Sequence, residues 1–104
     1  MKYKLAVTVP ENHADIVREA IGKVGGGKVG NYSSCSFSVK GIGRFKPESG
    51  ANPHIGSVGK IEEVIEERIE INCTNENLEN IIKAIKTVHP YEEVALDVYL
   101  LENI

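Results

Sequence analysis

The chain has 104 residues, enough for one domain with a single hydrophobic core and too few for two. Its apolar share of 41% and charged share of 26% are those of an ordinary globular domain and argue against disorder. The net charge of −3, without a basic run, does not provide the positively charged surface that nucleic-acid binding requires.

No stretch approaches the roughly 20 consecutive apolar residues that span a membrane, and the N-terminus has no signal-peptide core. We therefore expect a cytoplasmic protein that binds neither membrane nor nucleic acid. Cys35 and Cys73 lie far apart in sequence, without the spacing of a metal-binding pair. Two buried thiols are expected, with a disulfide or a shared metal site as the alternatives.

The first half of the chain shows a strand, a helix and a second strand. Apolar residues alternate with polar ones over residues 2–9, which is typical of a strand with one buried face. Apolar residues then recur at helical spacing over residues 16–24. Alternation returns over residues 35–39. In this second strand we expect three side chains to face the core: Cys35, Phe37 and Val39.

A glycine-rich turn follows the predicted helix. Gly22 to Lys28 has the spacing with which a phosphate-binding P-loop begins, but Val29 stands where that motif has serine or threonine. A P-loop also follows a strand and opens a helix, whereas this turn follows a helix. The glycines therefore predict the end of a helix and not a nucleotide site.

Regular patterning stops at about residues 40–60, where seven glycines and prolines predict a long loop. Phe45 and Ile55 are candidate anchors for this loop, and His54 is among its polar side chains. Long loops in small domains often carry function. The alternative is a loop that only connects two strands and carries no function.

The second half of the chain repeats the pattern of the first. Isoleucines at odd positions alternate with charged residues within residues 61–73, which favours a strand over the helix that the glutamates prefer. An apolar helical stripe follows over residues 75–88, and alternation resumes over residues 94–100. This order predicts an α+β, ferredoxin-like βαββαβ fold, with an antiparallel sheet and two helices on one face, as a single domain over residues 1–104.

The most chemically dense stretch is His-Pro-Tyr-Glu-Glu at residues 89–93, which we call the joint segment. It lies between the second helix and the last strand. Pro90 pushes His89 out of helical geometry, so the helix is expected to end near Val88. The segment supplies an imidazole, a phenol and two carboxylates within five residues, which makes it the first candidate for a site.

Several blocks of the sequence, taken in order, resemble one known module. They are residues 25–37, 41–47, 50–56, 66–70 and 89–99. Together they are similar to the domain inserted in the NGG-interacting-factor-three family of dinuclear-metal proteins, and to its free-standing bacterial versions. The resemblance covers nearly the whole chain. His89 to Glu92 also match a His-Pro-Tyr-Glu segment of the divalent-cation-tolerance protein CutA.

The resemblance implies a fold related to the PII signalling proteins and to CutA. Both assemble as trimers, so it also implies a homo-oligomer, with three subunits as the first expectation. The two metals of the full-length family are bound by flanking domains that this sequence does not match. The resemblance therefore implies fold and assembly, and not the activity in the "cyclohydrolase" labels that are often attached to that family.

A non-catalytic PII/CutA-like binding module is the first hypothesis for function. Two residues, His89 and Glu92, would bind a divalent metal such as Zn²⁺ or Cu²⁺, which accepts imidazole and carboxylate ligands. Further ligands would have to come from Glu93, Cys35, His54 or a neighbouring subunit. A small organic ligand would instead contact the following residues: Asn31, Tyr32, His54, Tyr91 and Glu93.

Three alternatives stay open at the sequence level. The joint segment has a purely structural role if His89 and Glu92 satisfy backbone groups while Tyr91 packs. A small enzyme would use His89 as a general acid or base, which requires a carboxylate, hydroxyl or thiol from another segment within hydrogen-bond reach. A structural interaction module would oligomerise and dock a larger partner through the long loop.

Overall fold

Both helices lie on one face of a four-stranded antiparallel sheet in the computed structural model, which describes all 104 residues. The strands are β1 (Lys2–Pro10), β2 (Phe37–Phe45), β3 (Glu62–Thr74) and β4 (Leu96–Leu100), in the sheet order β2-β3-β1-β4. The helices are α1 (Ala14–Lys23), which follows a 3-10 turn at Glu11–His13, and α2 (Asn75–Val88). The predicted ferredoxin-like βαββαβ fold is confirmed.

One hydrophobic core fills the space between the helices and the sheet. The two central strands pair with Leu5 opposite Ile71 and Val7 opposite Ile69, so their apolar side chains share the helix face. Burying each such side chain stabilises the fold by about 1.5–3 kcal/mol. The largest fully buried side chains are Leu5, Val7, Val9, Val17, Ile21, Ile69, Ile81 and Ile85.

The opposite face of the sheet carries no helix, and we call it the open face. Because side chains alternate along a strand, the open face receives Thr8 of β1 and the even-numbered residues of β3, including Glu66 and Arg68. The joint segment follows the end of α2, and its neighbour Ala95 accepts a backbone hydrogen bond from Thr8 (N···O 3.3 Å). The fold therefore brings the joint segment to the edge of the open face.

The second strand differs from its prediction in length and orientation. β2 runs to Phe45, so the loop expected over about residues 40–60 covers residues 46–61 instead; we call it the β2–β3 loop. Within β2, Phe37 pairs with Glu70 and Val39 with Arg68, which places both apolar side chains on the open face. The predicted inward orientation is wrong because the register of β2 on β3 pairs Ser38 with the core residue Ile69, so Ser38 faces the helices and its neighbours do not.

The glycine turn ends α1 as predicted. Gly27 has a positive φ of 80°, and a side chain there would collide with the backbone of Cys35. Its N–H donates to the carbonyl of Asn72 (2.9 Å), which fastens the turn to β3. Both cysteines are free; Cys73 is buried and Cys35 is half-buried. Neither helix is long and apolar enough to cross a membrane.

Candidate functional site

His89 fastens the joint segment to the sheet. Its side chain is buried, and its Nε2–H donates to the carbonyl oxygen of Thr8 (2.8 Å). The backbone N–H of Tyr91 donates to Nδ1 (3.1 Å). Since a carbonyl can only accept and an amide N–H can only donate, these contacts define the neutral ring with its proton on Nε2. Burial lowers the pKa of His89, which favours the same neutral form.

Tyr91 places its ring at the centre of an aromatic cluster. The ring centroid lies 5.7 Å from that of Phe45 in an edge-to-face contact, and 5.2 Å from that of His89. The hydroxyl donates to Oε2 of Glu66 (3.0 Å). Burial, and then the contact with the Glu66 carboxylate, raise the pKa of Tyr91 above its ordinary value. The phenol therefore stays protonated and serves as a hydrogen-bond donor.

Glu66 is the buried acid of this region, with only 8% of its surface exposed. Its carboxylate lies against Gly43 of β2, where a β-carbon would collide with Oε1. Oε1 makes no hydrogen bond in the protein. It is not fully buried, because every fully buried side-chain oxygen has a hydrogen-bond partner. One oxygen of Glu66 is therefore held by Tyr91, and the other keeps contact with the space above the open face.

The β2–β3 loop folds back towards the joint segment. The backbone N–H of Asn52 donates to Oε1 of Glu92 (2.9 Å). The ring of His54 lies 6.4 Å from that of Tyr91 and 6.0 Å from that of His13. A backbone hydrogen bond from Gly59 to Pro47 (2.8 Å) closes the loop on itself. The joint segment and the loop thus form one wall above the sheet.

A cavity of about 680 Å³ lies between the open face, the β2–β3 loop and the joint segment. Glu66 and Tyr91 are among its polar groups. Its apolar surface comes from side chains of β2, of the β2–β3 loop and of the stretch that follows the joint segment: Val39, Ile42, Phe45, Pro47, Ala51, Pro53, Ile55 and Ala95. Volumes of about 300–1,000 Å³ are typical of pockets that hold small organic molecules.

The positive charges around this cavity are already paired. Three basic residues line it, and each contacts a carboxylate: Arg44 with Glu63 (3.3 Å), Lys46 with Glu48 (3.9 Å) and Arg68 with Glu70 (3.1 Å). Three lining acids, Glu66, Glu92 and Glu93, have no basic partner within salt-bridge distance. The cavity therefore carries unneutralised negative charge.

The structure brings together most of the predicted site residues, but not all. His54, Tyr91, Glu92 and Glu93 line the cavity, and His89 lies behind Tyr91. The other predicted ligand residues, Asn31 and Tyr32, do not line it. They belong to the turn region after α1, which contacts the start of α2 through Gly25 and Asn77, whereas the joint segment follows its end. A 14-residue helix such as α2 is about 20 Å long.

The residues present do not fit a metal site within one chain. Both ring nitrogens of His89 are engaged by backbone groups, and one Glu92 oxygen is engaged by Asn52. No group of three or more His, Cys, Asp or Glu side chains is placed to hold an ion. Zn²⁺ or Cu²⁺ binding through His89 and Glu92 would need a rearrangement and ligands from a neighbouring subunit, and it stays a prediction.

His89 also lacks the partners that acid–base chemistry requires. Its hydrogen bonds go to a backbone carbonyl and a backbone N–H, and to no carboxylate, hydroxyl or thiol. The alternative of a catalytic His89 loses its geometric support. The contacts instead agree with the structural alternative, in which His89 and Glu92 satisfy backbone groups and Tyr91 packs.

No family model matches the chain, but comparison with known proteins finds similar sequences and structures. A GTP cyclohydrolase 1 type 2 homolog of Halalkalibacterium halodurans is 50% identical over 101 residues, which are 97% of this chain and 27% of that protein. The crystal structure of a Bacillus cereus protein related to NIF3 is 46% identical, with a TM-score of 0.85 over 98% of this chain and 26% of that one. This chain is homologous to one segment of these proteins, which are of the NIF3 (NGG-interacting-factor-three) family. It spans about a quarter of the length of the relatives it matches.

The fold of this chain is shared more widely. The periplasmic divalent cation tolerance protein CutA of Archaeoglobus fulgidus superposes with a TM-score of 0.72 over 99% of this chain and 86% of that one. The two are only 16% identical, so the likeness concerns the fold alone. The resemblance to the insert domain and the PII/CutA-like fold predicted from the sequence are both confirmed.

Proposed function

We propose that this NIF3-family segment is a non-catalytic, oligomeric PII/CutA-like module that binds a small organic ligand over the open face of its sheet. The cavity of about 680 Å³ carries this proposal. It combines apolar walls with a few polar groups at one place, Glu66 and Tyr91 among them, as small-molecule sites do. Its walls are formed by the β2–β3 loop and the joint segment, the two stretches that the sequence marks as candidates.

The hydrogen bonds of the site support binding rather than catalysis. Both nitrogens of His89 are used to fix the joint segment, and the hydroxyl of Tyr91 is used to hold Glu66. The curated relatives are named after a GTP cyclohydrolase, but we do not extend that activity to this chain. A triphosphate requires unpaired cations, and the basic side chains around this cavity are each paired with a carboxylate.

Self-assembly is the second part of the proposal. Both outer strands of the sheet, β2 and β4, have an unpaired edge and contain no proline. They also expose large apolar side chains, with 66% of Phe37 and 48% of Tyr99 accessible. These features support pairing with further copies of the chain. The resemblance to PII and CutA proteins makes three copies the first expectation.

The ligand part of the proposal is tested with a fragment screen followed by NMR of the ¹⁵N-labelled chain. We expect binding fragments to shift the amide signals of Gly43, Phe45 and Tyr91. Ala51→Trp places a large ring in the cavity and should abolish these shifts. Asn80→Trp, on the exposed side of α2, is the matched control and should leave them unchanged. Shifts that persist in Ala51→Trp, or a screen without cavity shifts, would contradict the proposal.

A further inference from the structure

We propose that the ligand of this cavity carries a positively charged nitrogen, an amine or an amidine, attached to an apolar body, and that the Glu66 carboxylate binds that nitrogen. The inference rests on the proposed function, since it identifies the chemical class of ligand for the same cavity. It depends on three observations: the burial of Glu66, its half-satisfied carboxylate and the paired state of the surrounding cations.

Burial makes Glu66 a strong anchor. Its side chain is more than nine-tenths buried on the open face, and Gly43 leaves room for the carboxylate above β2. A carboxylate removed from water loses hydration, and a charged hydrogen bond restores that loss best. The Tyr91 hydroxyl supplies one neutral hydrogen bond to Oε2. Oε1 has no hydrogen-bond partner and is not fully buried, and Glu66 lines the cavity, so this oxygen is free to accept from a cationic N–H group.

The surrounding charges select a cation over an anion. Arg44, Lys46 and Arg68 each contact a glutamate, so an incoming phosphate or carboxylate would share each cation with a carboxylate that is already there. None of the three contacts Glu66. An incoming amine meets an unpaired carboxylate, whereas an incoming anion meets the repulsion of Glu66.

Aromatic and apolar side chains define the rest of the ligand. The ring of Phe45 meets Tyr91 edge to face beside the carboxylate, and Pro47 and Ile55 line the same cavity. A ligand with an amino group and an aromatic or aliphatic body satisfies both parts of the site.

Three compounds with the same body and different head groups test the inference. Phenethylamine is cationic, phenylacetate is anionic and 2-phenylethanol is neutral. In NMR titrations of the full chain we expect phenethylamine to bind about tenfold or more tightly than the other two. Glu66→Gln keeps the shape of the side chain and an acceptor for Tyr91, and should reduce phenethylamine to the affinity of 2-phenylethanol. Glu79→Gln, an exposed acid on α2, should change nothing.

The outcomes separate this inference from the proposed function. If 2-phenylethanol or phenylacetate binds at the cavity amides as tightly as the amine, the cationic ligand is overturned while the small-molecule site stands. If no compound shifts those amides, and Glu66→Gln lowers the oligomeric mass in light scattering, the carboxylate binds a lysine or arginine of a second copy. That result overturns both.

Discussion

At the scale of single residues, His89 is a candidate metal ligand by its chemistry, but its contacts in the structure stabilise the fold. The ring is 7% exposed and bridges the end of α2 to β1 through the carbonyl of Thr8. Removing it leaves that carbonyl and the N–H of Tyr91 without their partners. An unsatisfied buried polar group costs about 1–3 kcal/mol. We expect His89→Ala to lower the free energy of unfolding by roughly 2 kcal/mol or more, as measured by urea denaturation.

The same residue predicts how stability depends on pH. Burial lowers the pKa of His89 in the folded chain below its ordinary value of 6.5, so the unfolded chain binds a proton first as the pH falls. The contribution is fully present above pH 6.5 and is lost as the pH drops from there through the lowered pKa of the folded state. Urea titrations across this range should show that the free energy of unfolding decreases as the pH is lowered.

Two variants assign that pH dependence to its source. His89→Ala should flatten the part of the profile that lies below pH 6.5. His13→Ala should keep most of it, because the charge of His13 is the smallest of the causes that act on the pKa of His89. An unchanged slope in His89→Ala would show that another group is responsible.

At the scale of elements, the pairing of β2 with β3 decides whether Glu66 can be buried. Gly41 and Gly43 both lie in β2, but only at Gly43 would a β-carbon meet the Glu66 carboxylate. We expect Gly43→Ala to displace the carboxylate and break its hydrogen bond to Tyr91, which lowers the free energy of unfolding by about 1 kcal/mol.

The control for this prediction is Gly41→Ala on the same strand, where a β-carbon meets no atom within 4 Å. It should be neutral or slightly stabilising, because glycine weakens a strand. Thermal unfolding of the two variants side by side measures the difference. Equal melting temperatures would mean that Glu66 moves aside without cost.

The same element separates what the sequence predicts from what it does not. The periodic stripes of α2 and β3 are long, so the order of elements and the core residues Ile69, Ile81 and Ile85 follow from pattern alone. The orientation of Phe37 does not, because alternation predicts two faces without saying which one the helices cover. The burial of Glu66 depends on a glycine more than twenty residues away across the β2–β3 pairing. No local sequence pattern predicts this contact between Gly43 and Glu66.

At the scale of the whole molecule, the exposed edges of the sheet argue for assembly. The open face beyond the cavity carries Phe37 of β2 and Tyr99 of β4, so apolar side chains are exposed on both outer strands. A monomer leaves these side chains and two rows of backbone hydrogen-bonding groups in water. We expect light scattering with size-exclusion chromatography to show an oligomer, with three chains as the first expectation.

A charge placed on this surface should disrupt the oligomer. Phe37→Lys introduces one at a side chain that is 66% exposed in the single chain, so its effect on folding should be small. Burying that lysine without a partner in an interface would cost several kcal/mol, which favours the monomer. Ile16→Lys is the control, because Ile16 is an exposed apolar residue that lies on α1 and not on an outer strand of the sheet. It should leave the mass unchanged. A wild-type chain that stays monomeric, or a control that dissociates equally, would show that the exposed strands are not the assembly surface.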